Sequence, residues 1–145
     1  MGFTALAPAV RVKSGVFKVS TIKPRRDGDP WGLSVTVPSV EFAKRFGTAA
    51  TFNLLLGHGA DEGKLMIQPA EGGAFKPAAL RNCFVFRLPA SDTWPSGAFV
   101  ADDPERVTRD GALIVTLPEW AWNKERQKAI ALARAHVAAG RKAER

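Results

Sequence analysis

The chain has 145 residues, 46% of them hydrophobic, with a single cysteine and a formal charge of +7. That length suffices for one domain over 1–145 with a real core, and the hydrophobic content excludes disorder over the whole length. No apolar run approaches the roughly 18 residues that span a bilayer, and a lone Cys83 excludes an internal disulfide and argues against a cysteine-built metal site.

The run Phe3 to Val10 is short and has no basic start, so no secretory signal is expected. With one thiol and no signal, a reducing cytoplasm is the expected location. The charge is unevenly spread. Residues 1–26 hold six cations (Arg11, Lys13, Lys18, Lys23, Arg25, Arg26) and no acid, residues 121–145 hold seven cations against two acids, and the centre is mildly acidic. Cationic ends on a less charged body fit an anionic partner, nucleic acid first among them. The plainer reading is that basic termini serve solubility.

In chain order, residues 15–23 alternate and are rich in β-branched residues, which predicts a strand. Residues 24–32 hold two prolines, two glycines and two aspartates, the chemistry of a loop. A strand at 33–37 runs into Pro38, and a short helix follows to Gly47. Ser39 is expected to cap it, Glu41 to suit its positive end and Gly47 to close it. Val40 or Ala43, with Phe42 and Phe46, should face the core. Strands at 51–56 and 64–68 flank a turn at 57–63, and 69–80 reads as a connector. Further strands are predicted at 83–88, 97–100 and 112–117, with turns at 102–105 and 109–111. From Glu119 to Ala139 the pattern is helical, with Trp122, Arg126, Ile130, Ala133 and Val137 on one stripe that should pack on the sheet.

One ending recurs. Leu33-Ser-Val-Thr-Val-Pro38 and Leu113-Ile-Val-Thr-Leu-Pro118 each close a β-type run on a proline before a helical stretch, and Phe84-Val-Phe-Arg-Leu-Pro89 is a weaker echo. Proline lacks a ladder donor and fixes φ, so it stops a strand and suits the first turn of a helix. The echo suggests degenerate halves at 15–69 and 81–122, followed by a basic helix at 119–140. The alternative is that Val-Thr-hydrophobic-Pro is simply a common strand ending.

Val35-Thr36-Val37-Pro38, the helix Glu41 to Gly47, and the strand pair Phe52 to Leu56 and Leu65 to Gln68 together resemble the swapped-hairpin DNA-binding family of AbrB/MazE/SpoVT-like regulators and antitoxins. The likeness covers 33–69. Here the helical segment is one residue longer than in that family, Thr48-Ala49-Ala50 replaces its Gly-Asp pair, and the turn at 57–63 is longer. The resemblance implies a mainly β fold with α elements (α+β), a swapped-hairpin-like β-barrel; the echo would make it a duplicated one, and the terminal periodicity adds a long C-terminal helix. It also implies a homodimer that binds duplex DNA through basic residues of the first hairpin. The corresponding positions are Lys18, Lys23, Arg25 and Arg26.

Read residue by residue, Lys23, Arg25 and Arg26 sit on a turn from which they could reach phosphates or guanine edges. Otherwise the arginines pair with Asp27 and Asp29. Lys124, Lys128 and Arg134 put charge on the terminal helix, whose other face is expected to pack. Trp31, in the basic loop, is the tryptophan placed to stack on a base. Trp94, Trp120 and Trp122 suit a core or a dimer interface. His58 with Asp61 and Glu62 could suggest a metal cluster, which needs three or four convergent ligands, but on a short glycine-rich turn plain surface is the favoured reading. Cys83 reads as a small buried hydrophobe. No catalytic spacing is present, so the expected role is a DNA-binding transcriptional regulator, without enzyme activity or cofactor. The alternatives are a single-stranded DNA or RNA-binding module, and an antitoxin or inhibitor that binds a protein partner.

Overall fold

The computed structural model describes residue 3 and residues 16–143, with side-chain surroundings as far as residue 140. Arg11, Lys13 and Arg145 lie outside the described residues.

The N-terminal hairpin pairs Lys18–Ile22 (β1) with Gly32–Pro38 (β2), Val19 opposite Val35. Leu33, Val35 and Val37 fall on one face at period two and are fully buried. Ser34, on the other face, is buried and meets the Ser20 hydroxyl at 2.9 Å. Pro38 then turns the chain with φ −58° and ψ 143°, and Ser39–Phe46 (α1) begins. Phe52–Leu56 (β3) and Lys64–Pro69 (β4) form a second hairpin around a single 3-10 turn at Gly59–Asp61. The two-residue Ala78–Ala79 (β5), Cys83–Leu88 (β6) and Val100–Asp102 (β7) follow. Arg106–Arg109 (β8) and Ala112–Thr116 (β9) make a third hairpin, and Glu119–Trp122 (α2) and Lys124–Ala143 (α3) end the chain.

Two antiparallel sheets result. One has the order β5-β6-β2-β1-β7 and the other β3-β4-β9-β8. The core lies between them, built from Val19, Val35, Val37, Phe52, Leu65, Ile67, Phe86, Leu113 and Val115. α1 closes one side through Phe42, whose ring stacks on Phe84 at 3.9 Å and meets Phe46 and Phe52 edge-on. Such pairs add stability beyond their buried area.

The architecture is α+β with a C-terminal helix, as expected, but it is not a closed barrel. Among the described residues no strand of one sheet ladders with a strand of the other. The chain instead crosses between sheets where pairing is interrupted. Between β7 and β8, Asp103 has φ +52° and is followed by the buried Pro104, which has no donor to offer a ladder.

Several local expectations are corrected. Ser39 does not cap α1; Pro38 occupies the N-cap position and the Ser39 amide donates to Asn82 O at 3.0 Å. Val40 is 69% exposed and Ala43 is exposed, so Phe42 and Phe46 alone carry the core face. The strand expected at 97–100 begins at Val100, because Gly97 adopts φ +111° and Thr21 Oγ1 takes its carbonyl at 2.8 Å. The connector at 69–80 contains β5, and β8 arises where only turns were expected. Cys83 is half-buried on β6. The helix expected over 119–139 is two helices, broken at Asn123. Its stripe leaves the body early: Ile130 is half-buried, Ala133 is exposed and Val137 is 55% exposed.

Candidate nucleic-acid interface

The end of the molecule that carries the first loop is organised by the segment 89–99. Thr21, near the end of β1, holds it through three bonds: its amide donates to Phe99 O (3.0 Å), its hydroxyl donates to Gly97 O (2.8 Å), and the Phe99 amide donates back to that hydroxyl (3.0 Å). Farther along, the Ser91 amide donates to Trp31 O at 3.2 Å. The indole of Trp94 is buried, and its Nε1 donates to Pro89 O at 2.9 Å.

α3 lies on the same segment. Gln127 Nε2 donates to Thr93 O and to Trp120 O, both at 2.9 Å. Arg134 sits over the Phe99 ring at 4.2 Å, and Phe99 in turn stacks on Trp120. Gly97 has no Cβ to obstruct this, since a Cβ there would lie 3.0 Å from Arg134 Nη1. Between segment and helix runs a groove of about 340 Å³ lined by Asp92, Trp94, Phe99, Lys124, Lys128 and Arg134.

The structure therefore gathers three of the residues singled out from the sequence and bonds the loop that carries three others to the same segment. Lys124, Lys128 and Arg134 share one groove. Lys23, Arg25 and Arg26 are exposed on the β1–β2 loop, which is tied to the groove's own segment through Trp31 and Thr21. Among the described residues, no ion pair joins Arg25 or Arg26 to Asp27 or Asp29. Trp31 is half-buried at the root of the loop. Lys18 stands apart: it pairs with Thr36 and Asp102 at the far end of β1, about 16 Å of strand from Lys23 at the usual rise.

A larger cleft of about 600 Å³, beside Arg45, Lys64, Arg106 and Arg109, also looks basic in outline. Its cations are mostly answered locally. Arg45 meets Glu41 at 3.3 Å, Lys64 meets Asp61 at 3.7 Å and Arg106 meets Asp103 at 2.6 Å. With Glu105 in its lining as well, it offers a polyanion little net charge.

Gln127 and Phe99 were not visible as site residues in the sequence. Phe99 carries one usable signal, an aromatic residue in a Pro-Ser-Gly loop within a chain of basic ends. Gln127 carries none, because both carbonyls it braces belong to other elements. His58, Asp61 and Glu62 lie on the β3–β4 turn, and no group of three metal-ligating side chains occurs among the described residues. No described helix is long and apolar enough to cross a membrane. Compared with known proteins, the chain matches no family model, no curated protein and no solved structure.

Proposed function

We propose that this chain is a nucleic-acid-binding protein that grips the phosphate backbone from two sides of one segment, with the β1–β2 loop on one side and the first turns of α3 on the other. A single observation carries the reading. The loop that exposes Lys23, Arg25 and Arg26 and the helix that places Lys124, Lys128 and Arg134 in the groove, distant in sequence, are both bonded to residues 89–99. Along α3, Lys124 and Lys128 are about 6 Å apart in rise and Arg134 stands about 9 Å farther. Since one strand presents a charge every 3.4 Å or so, the three span about four or five phosphates.

Duplex DNA is the favoured target and transcriptional regulation the favoured role. The order β1-β2-α1-β3-β4 over 18–69 is the one the swapped-hairpin resemblance calls for. Pro38 and Pro118 precede their helices with nearly the same backbone angles, −58°/143° and −63°/153°, which supports a degenerate duplication. A homodimer belongs to the reading because β5, β7, β3 and β8 are sheet edges, and exposed edges invite pairing or cover. A second reading, a single-strand module, is favoured by one observation: Trp94 and Phe99 stand in the wall of the basic groove, and aromatic residues beside cations suit unpaired bases.

Fluorescence anisotropy with labelled duplex and single strands at low salt tests both. Binding is expected for the native chain. It should be lost when Lys23, Arg25 and Arg26 are changed to Glu, and also when Lys124 and Lys128 are. Native binding that either variant retains would overturn the reading, and preference between the two strand forms decides the target.

A further inference from the structure

The groove has a neighbour of opposite character. On the other side of Trp94 lies a recess of about 360 Å³, lined by His58, Glu62, Gly63, Thr93, Trp94 and Trp122 among others. The two spaces share the Trp94 wall. The groove has three cations against one carboxylate, Asp92; the recess has no Lys or Arg and one carboxylate, Glu62.

The recess is built and held. The β3–β4 turn lies against the face of Trp122, because a Cβ on Gly63 would stand 2.6 Å from both Cε2 and Nε1 of that indole. Trp94 is fixed by its bond to Pro89 O, and Thr93 by the Gln127 bond to its carbonyl. Trp122 is half-buried, and its indole N–H has no hydrogen-bond partner among the described residues. Two indoles, an imidazole, one free N–H donor and one carboxylate acceptor suit a flat, uncharged ring with both acceptors and donors on its edge. The carboxylate repels a phosphate, which the adjoining cations attract.

We propose that this recess receives one unpaired nucleobase of a strand whose phosphates lie on Lys124 and Lys128, an inference that rests on the second, single-strand form of the nucleic-acid reading above and not on its duplex form. Glu62 accepts from the base edge, the Trp122 N–H donates to it, and the indoles supply apolar contact. The site thereby favours strands with accessible bases over fully paired duplex.

The test uses the full chain with two labelled probes, a twelve-nucleotide deoxyadenosine strand and the same strand with abasic sites at all twelve positions. The backbone charge is identical. The intact strand is expected to bind about five- to a hundredfold more tightly, the range of base–aromatic stacking, and to quench tryptophan fluorescence. Trp122→Ala should bring the ratio close to one. Because Trp122 packs against the core and this variant could fail to fold, Glu62→Gln is the second arm. Glu62 is exposed, and since Gln keeps a neutral acceptor the substitution should reduce the ratio by about threefold or more, the difference between a charge-assisted and a neutral hydrogen bond. Equal binding of both probes would overturn the recess and leave the backbone grip standing. A ratio untouched by Glu62→Gln and by a folded Trp122→Ala would overturn its location. Failure of the native chain to bind either probe would overturn both readings.

Discussion

Gly63 does two things that no other residue can do at that position. Its φ of +82° lies in the left-handed region, and its Cα approaches the Trp122 ring as closely as a missing side chain allows. Gly63→Ala should lower stability by about 1–3 kcal/mol, from backbone strain and from overpacking against a rigid ring. A lower urea midpoint with an unchanged slope checks it; an unchanged midpoint refutes the account. The sequence marked Gly63 as a turn residue but could not reveal its partner, because Trp122 is nearly sixty residues away. The same limit explains α1. Helical spacing offered Val40, Phe42, Ala43 and Phe46 as core candidates, and the choice among them is made by Phe52, Phe84 and Phe86, which local periodicity does not contain. Arg134 shows the converse. Its cationic character was plain from the sequence, whereas its place over Phe99, beside the space that Gly97 leaves open, was not.

At the scale of elements, the break between α2 and α3 is the most instructive. The apolar pattern runs through residue 123 without a gap, so it reads as one helix. Yet Asn123 is extended (φ −85°, ψ 108°), and its Oδ1 accepts from the Arg126 amide at 3.1 Å. Asn is a strong N-cap residue, and capping here lets α3 leave at a new angle and lie on segment 89–99. Asn123→Ala should cost about 1 kcal/mol. Hydrogen exchange should show faster opening of the first turn of α3, with weaker nucleic-acid binding through Lys124 and Lys128; protection equal to the native chain would sink this. Strands with strong β-branched or aromatic alternation, β2, β3, β4, β6 and β9, were legible nearly to their ends. β8 was not. Arg106-Val-Thr-Arg109 is short and mostly exposed, and only its pairing with β9 makes it a strand. Tertiary contact, more than propensity, decides such an edge.

Across the whole molecule, the uneven charge visible in the sequence becomes a directional feature only once the chain is folded. The two cationic groups are linked because β1 and α3 both attach to residues 89–99, a stretch with no strong pattern of its own, and so that link could not be read from the sequence. If all six cations contact phosphates, the logarithm of affinity should fall against the logarithm of salt with a slope of about −5, at roughly 0.9 per contact. Neutralising Lys23, Arg25 and Arg26 should bring the slope to about −3, and neutralising Lys124, Lys128 and Arg134 should do the same. The two sets should be additive, because each acts on separate phosphates. The distal part of α3 gives an independent control. Residues 131–140 are exposed throughout, so ending the chain after Ala138 should change stability by no more than about 0.5 kcal/mol, as surface changes do. That truncation also removes Arg141, Lys142 and Arg145 while sparing the groove. A stable truncated chain whose slope matches the native one places the grip in the groove and loop; a slope reduced by two or three contacts would place much of it on the projecting helix instead.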